Sequence, residues 1–316
     1  MTGEATVVKN AGSHYMLSML PDWNPFPAVL KGRIRLKSND STNPVAVGDH
    51  VLFETGAETP GEVTLENPAL ITEILDRKNF VVRKSTNLSR QSHVIAANID
   101  MAFAVVSLYF PEIKLPFLDR MLVTCEVYGV PVTIVMNKVD LYRNEAPEAV
   151  QNFIDIYTGA GYRVVQASAK TGDGIEELRG ICDGNVCLFS GESGVGKSSL
   201  IKALDPSLDP KIGKISVAHL QGKHTTSLYE MYRLASGGAV IDTPGLRGFG
   251  LVNLEKEEIA RYFPEMLKAA ENCRFTPCTH THEPGCAVKE AVDNGEISPE
   301  RYSSYLGMIE EDKKFR

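Results

Sequence analysis

The run NVCLFSGESGVGKSSLIKALD, residues 185–205, constrains the fold more than any other part of the chain. A short apolar stretch passes through a glycine-rich loop into SSLIKAL, so the order is strand, loop, helix. Gly191, Gly196, Lys197 and Ser198 fit the pattern G-x-x-x-x-G-K-[ST]. The glycines let the backbone wrap closely enough for its N–H groups to point at phosphate oxygens, and the helix start adds partial positive charge. The cradle is expected to run from Gly191 through Glu192, Ser193, Gly194, Val195 and Gly196 to Ser199. Lys197 is expected to reach the β- and γ-phosphates and Ser198 to ligate Mg²⁺. The bland alternative, a flexible glycine turn, does not account for the strand before it and the helix after it.

The surrounding sequence repeats this rhythm. DMAFAVVSL, PVTIVMNKVD, YRVVQASAK and GAVIDTPG read as short strands, each running into a loop. FLDRMLVTCEVYG, EAVQNFIDIYTGAG and GIEELRGIC read as helices between them. Alternating strands and helices predict a doubly wound, mostly parallel α/β sheet with ligands at the C-terminal strand ends. Residues 1–76 lack helical periodicity. The runs AVLKGRIRL, HVLFE, GEVTLE and ALITEIL, broken by turn-forming residues, predict a small β-barrel, OB-like or SH3-like with the OB form slightly favoured. Residues 253–316 read as helical and polar around a Cys/His cluster, and SPERYSSYLGMIEEDKKFR reads as a final helix. The expected division is therefore 1–76, 77–252 and 253–316.

Three further motifs fall at strand ends. In NKVD, a carboxylate at Asp140 can accept two hydrogen bonds from guanine N1–H and N2–H, a pair adenine lacks. Asn137 and Lys138 belong to the same segment, and Ser168, Ala169 and Lys170 supply the S-A-K that supports the base oxygen in GTPases. DTPG, from Asp242 to Gly245, fits the D-x-x-G that senses Mg²⁺ and the γ-phosphate. GKHTTS offers Thr225 or Thr226 as a switch ligand for Mg²⁺. All parts of a guanine-nucleotide pocket are present, but in the order base, base, phosphate, switch one, switch two. A circular permutation, joined through RGICDGNV at 179–186, accounts for that order. Leu246 stands after D-x-x-G, where many GTPases carry the glutamine that orients the attacking water. His224 is the expected substitute, with Arg247 as a phosphate or partner contact. Gly194 stands where some such enzymes carry an asparagine that helps bind K⁺.

Cys273-x4-Cys278-x-His280-x5-Cys286 supplies three thiolates and an imidazole, a closed set suited to one structural Zn²⁺, with His282 as the rival to His280. Cys125, Cys182 and Cys187 lie in apolar runs and are expected in the core. A net charge of −7 argues against a general nucleic-acid binder. Locally, residues 76–91 carry Arg77, Lys78, Arg83, Lys84 and Arg90 against Asp76, either a solvated linker or a strip facing phosphates. No apolar run is long enough for a membrane helix, and the first residues lack the pattern of a signal peptide, so the cytoplasm is the expected compartment.

The order NKVD–SAK–GESGVGKSS–GKHTTS–DTPG together with CRFTPCTHTHEPGCAV resembles, over nearly the whole chain, the circularly permuted GTPases that act on the bacterial small ribosomal subunit. The resemblance implies an OB-fold at the front and a zinc-binding domain at the end, with His280 rather than His282 as the ligand. It also implies GTP hydrolysis, contacts with 16S rRNA and the 30S subunit, and a role in late 30S assembly. A monomer is expected, with GTP, Mg²⁺ and one Zn²⁺ as its small-molecule partners. The alternatives are a nucleotide-gated RNA-binding scaffold with incidental turnover, which Leu246 favours, and a signalling switch with a protein effector.

Overall fold

The computed structural model describes residues 1–32, 44–84, 92–208, 229–242 and 254–314. The front of the chain forms five strands: β1 (Thr2–Ala11), β2 (His14–Ser18), β3 (Phe26–Leu30), β4 (His50–Glu54) and β5 (Ala69–Ile74). Their order is β1-β2-β3-β5-β4, and β4 returns to pair with β1 from Thr2↔Glu54 to Thr6↔His50, so the sheet closes into a barrel. Closure removes the exposed edges that a five-stranded sheet would otherwise carry. Alternate residues such as Ala5, Val7, Tyr15, Leu17, Phe26, Phe53 and Ile71 fill its interior. The barrel takes the OB-like form. GEVTLE, expected as a strand, instead holds a short 3-10 turn at Pro60–Glu62 and irregular chain, because Pro60 and Gly61 favour a turn there.

A hairpin follows, β6 (Phe80–Lys84) with β7 (Ser92–Ala97). The basic segment is therefore partly strand. Arg77 is not a free phosphate contact: its guanidinium makes a bidentate pair with the buried Asp49 at 2.6 and 2.7 Å. Lys78 pairs with Asp100 at 3.0 Å. Arg90 lies outside the described residues.

The central unit comprises β8 (Met101–Val106), α1 (Leu115–Val127), β9 (Val132–Met136), α2 (Pro147–Gly159), β10 (Arg163–Gln166), α3 (Ile175–Cys182), β11 (Val186–Ser190), α4 (Lys197–Leu204), β12 (Tyr229–Arg233) and β13 (Ala239–Asp242). Strand order is β10-β9-β8-β11-β13-β12; the first five run parallel and β12 is antiparallel. The pleat divides each strand between two cores. Ala102, Ala104, Ile134, Leu188 and Ile241 face α1 and α2, packing with Leu118, Met121, Phe153 and Tyr157. Phe103, Val105, Val135, Phe189 and Val240 face α3 and α4, packing with Leu178, Leu200 and Ile201. This is a sheet with helices on both faces, which explains why its strands read as continuous apolar runs. Cys125, Cys182 and Cys187 are buried in these cores, as expected.

The C-terminal part carries α5 (Lys256–Ile259), α6 (Pro264–Ala270), α7 (Ala287–Asp293) and α8 (Pro299–Lys314). Pro264, which removes a backbone donor, divides the expected helical run into two pieces. Its core, Phe263, Met266, Val288, Tyr305 and Met308 among others, takes in Val123 of α1. Among the described residues no helix is long and apolar enough to cross a membrane.

Candidate nucleotide site and metal centre

The loops expected to hold a nucleotide meet at one end of the parallel sheet. β11 delivers the chain at Ser190 to the glycine loop, and α4 begins at Lys197. Two glycines there are sterically required. Gly191, at φ 151°, has the Val105 carbonyl oxygen where a Cβ would go. Gly196, at φ 96°, has the side-chain amide of Asn137 in that place. Lys197 is buried, and its ammonium donates to the carbonyls of Gly191 and Glu192 at 2.8 Å each. Burial lowers its pKa, and the nearby carboxylates of Asp242 and Glu192 oppose that shift. Asp242, itself buried, ends β13 in register with Phe189 of β11, which places it beside the start of the glycine loop. Ser193, Gly194 and Ser199 are exposed, while Glu192, Gly196 and Ser198 are half-buried.

The NKVD segment is stitched to this loop by one buried side chain. Asn137 Nδ2 donates to the Val195 carbonyl at 2.8 Å, and its Oδ1 accepts from the Ala169 N–H at 3.3 Å. Tyr142 holds the Asn137 carbonyl from behind, O–H to O at 2.6 Å. Lys138, in the left-handed region at φ 65°, extends its ammonium to the carbonyls of Gly194, at 2.7 Å, and Phe110. Ser168 Oγ donates to Asp140 Oδ1 at 2.7 Å and also accepts from the N–H groups of Lys170 and Thr171. One carboxylate oxygen is thus fixed by the hydroxyl. Lys170 lies 4.0 Å from Asp140 Oδ2.

The structure therefore gathers Asn137, Lys138, Asp140, Ser168–Lys170, Gly191–Ser199 and Asp242 around one end of the sheet. His224, Thr225, Thr226, Gly245, Leu246 and Arg247 lie outside the described residues. Motif reasoning missed the groups that hold the site in shape. These are Tyr142, two residues past NKVD, and Lys114, whose ammonium pairs with Glu192 of the glycine loop at 2.9 Å. Neither lies in a recognisable pattern, although Tyr142 sits where a buried polar handle is needed.

The cysteine cluster is equally compact. The ligand atoms of Cys273, Cys278, His280 and Cys286 all lie within 4.8 Å of one another. Cys273 and Cys286 sulfurs are 3.9 Å apart, and His280 Nδ1 is 3.6 and 3.4 Å from them. Tetrahedral zinc with Zn–S of about 2.3 Å and Zn–N of about 2.0–2.1 Å requires edges of about 3.8 Å and about 3.6 Å. The donor set and its spacing fit that ion. Burial lowers the His280 pKa, favouring the neutral imidazole that can ligate, against the opposing charge of Glu283. Outer contacts fix the loop: Tyr302 and Tyr305 hydroxyls donate to the His280 and Thr279 carbonyls at 2.6 Å each. Glu283 accepts from Thr279 and from the N–H groups of Thr281 and His282. His282 is exposed and outside the cluster.

A sequence profile of the RsgA GTPase family matches residues 74–252. The chain is 46% identical over 98% of both lengths to the small ribosomal subunit biogenesis GTPase RsgA of Bacteroides fragilis. Its fold is similar to that of the crystal structure of YjeQ from Thermotoga maritima, with a TM-score of 0.77, 32% identity and 98% of each chain covered. It is also similar to YloQ, described as a circularly permuted GTPase, with a TM-score of 0.71, 26% identity, and 100% and 96% covered.

Proposed function

This chain belongs to the RsgA GTPase family, and from that premise we propose that it hydrolyses GTP in late maturation of the 30S subunit, with the subunit stimulating hydrolysis and hydrolysis timing release. The observation that carries the reading is Asn137, whose side chain ties the base segment at Ala169 to the phosphate loop at Val195. Two halves that are reversed in sequence are thereby tied together at one end of the sheet.

In this reading Asp140 accepts from guanine N1–H and N2–H, with Asn137, Lys138, Ser168, Ala169 and Lys170 shaping the base pocket. Gly191 to Ser199 cradle the phosphates and Lys197 swings from its own loop's carbonyls to the β- and γ-phosphates. Ser198, Asp242 and either Thr225 or Thr226 hold Mg²⁺, Gly245 senses the γ-phosphate, and His224 orients the attacking water. When bound, Mg²⁺ would supply charge neutralisation at the phosphates. Cys273, Cys278, His280 and Cys286 hold one structural Zn²⁺; four protein ligands leave no open position for catalysis. The unit boundaries fall at 76/77 and 252/253, the protein works as a cytoplasmic monomer, and 16S rRNA is its contact on the subunit.

The test is steady-state GTP turnover with and without purified small subunits. Strong stimulation supports the reading. Unstimulated turnover combined with nucleotide-dependent binding would replace it with an RNA-binding scaffold.

A further inference from the structure

The barrel and the GTPase sheet are one continuous sheet. β1 of the barrel pairs antiparallel with β12 at Lys9↔Glu230 and Asn10↔Tyr229. β12 in turn pairs with β13, where Glu230 stands opposite Asp242. Lys9, Glu230 and Asp242 therefore form a single cross-strand row, reaching from the barrel to the carboxylate beside the phosphate loop. Directly opposed residues on an antiparallel pair are the closest side-chain neighbours a sheet provides. The first link is closed by an ion pair, Lys9 Nζ to Glu230 Oε1 at 3.0 Å, with each side chain 35% exposed. Tyr232 O–H donates to the other oxygen of Glu230 at 3.3 Å.

A β-bulge makes this junction possible. The register of β1 against β2 shifts between Val7 and Lys9. Val7 points into the barrel core, whereas Val8, the extra residue, belongs to the GTPase core with Met231 and Ile241. Re-aiming one side chain is what a bulge does. The row therefore has an apolar counterpart, Val8 with Met231 and Ile241, beneath the same three strands. Trp23, the one tryptophan in the chain, packs on that core and lines a cleft of about 560 Å³ together with Lys9, Leu208, Glu230 and Tyr232.

We propose that the row Lys9–Glu230–Asp242 couples the barrel to the γ-phosphate side of the nucleotide site, so that a small subunit gripping the barrel tunes GTP hydrolysis across the sheet. The inference rests on the function proposed above for this site. Among the described residues β1 is the strand on the outer side of β12, so a shift of the barrel is carried by these pairs into the strand opposite Asp242. Linkage makes the effect reciprocal: a nucleotide that moves Asp242 moves the barrel, and Trp23 reports it.

The experiment uses full-length protein, GDP, a non-hydrolysable GTP analogue and purified small subunits. Trp23 emission is expected to differ between the two nucleotide forms. Glu230→Gln and Lys9→Met should each shrink that difference. They should also reduce subunit-stimulated turnover by about two- to fivefold, the range an exposed ion pair can supply. Basal kcat and KM for GTP should not change, which a merely structural loss would not spare. Lys9→Glu combined with Glu230→Lys should restore both signals. Identical Trp23 emission in the two nucleotide forms, or single variants with the full nucleotide response and full stimulation, would overturn the coupling. Absence of stimulation in the unmodified protein would count against the proposed function instead, since the Trp23 measurement needs no subunit.

Discussion

Arg301 of α8 is the strongest test of how the C-terminal unit is attached. Its side chain is 1% exposed and passes into the GTPase unit, where Nη1 donates to Asp119 of α1 at 2.8 Å. Nε and Nη2 bind both oxygens of Glu265 at 2.7 and 3.0 Å. Phe263, Tyr162 and Tyr157 surround the guanidinium at 4.6, 5.5 and 5.7 Å from their centroids. Replacing the cation leaves two carboxylates in a dry, aromatic setting. Removing one partner of such a buried pair costs about 3–5 kcal/mol, so Arg301→Met is expected to lose that much. Burial pushes the Asp119 pKa up, and the Arg301 charge holds it back. Without Arg301 it rises further, so the penalty begins as pH climbs through the unfolded carboxylate value of about 3.9 and is complete only above the folded value. The deficit should therefore shrink in acid. Because a multi-unit chain need not unfold in one step, the assay is native-state hydrogen exchange on α1 and α8. Arg301→Met with Asp119→Leu and Glu265→Leu should recover most of the loss, since an apolar replacement leaves no buried charge. A loss under about 1 kcal/mol in the single variant would show that the cluster is not a buried ion pair in solution.

Asp140→Asn removes the acceptor for two guanine donors; at about 1–2 kcal/mol for each lost bond, GTP affinity should fall by about 30- to 1000-fold. ATP should be almost unaffected and xanthosine triphosphate should gain, and equal losses for GTP and ATP in a competition assay would refute the assignment. Metal analysis should find one Zn²⁺ per chain; Cys278→Ser or chelation should loosen α6–α8 in hydrogen exchange while GTP affinity stays intact. Asp205 accepts from Ser207 Oγ and N and from the Ala235 N–H at 2.6, 2.9 and 2.7 Å, tying the end of α4 to the β12–β13 turn. The Ser207 hydroxyl and the Ala235 N–H lower its pKa. Its stabilisation is therefore present above the unfolded carboxylate value and lost as pH falls through the depressed one. Asp205→Ala should cost about 1–2 kcal/mol at pH 7, and thermal melts of variant and parent should begin to draw together as pH falls below about 4 and coincide only below the depressed value.

The central strands β8, β9 and β11 were legible because they are buried on both faces, so AFAVV, IVM and CLF read as unbroken apolar runs. β12 was not. In YEMYR only Met231 is buried, since the strand lies between barrel and sheet with one face partly open. β1 escaped for a related reason: its bulge breaks the alternation at Val7–Val8 that a strand pattern needs. The nucleotide segments announced themselves through chemistry fixed to short spacings, and so did the four metal ligands, which lie within 14 residues of chain from Cys273 to Cys286. Arg301 did not, since its partners lie 36 and 182 residues away and its own helix reads as polar surface. Long-range polar satisfaction leaves no local pattern.

The permutation has a mechanical consequence that the strand order makes plain. The join from α3 to β11 needs only Asp183, Gly184 and Asn185. Asn185 N donates to Cys182 O at 3.0 Å, and Asn185 O accepts from Ala239 at 2.9 Å. The backbone of Cys182 and Asn185 packs so closely on Gly238 that no side chain fits there. Rejoining at this point moves the ends of the unit to the start of β8 and the end of β13. Those two strands are the immediate neighbours of β11, one on each side of the strand that carries the phosphate loop. An uncut order beginning at β11 would close on α3, after the edge strand β10, so that an added unit would hang beyond the rim. Here the hairpin and barrel enter through β8, and the chain leaves through β13 at Asp242. Force from either appended unit is thus delivered to a strand bonded directly to β11. Buried central strands, paired on both sides, deform less than frayed edges, so the ends of the unit are held beside the strand that carries the glycine loop.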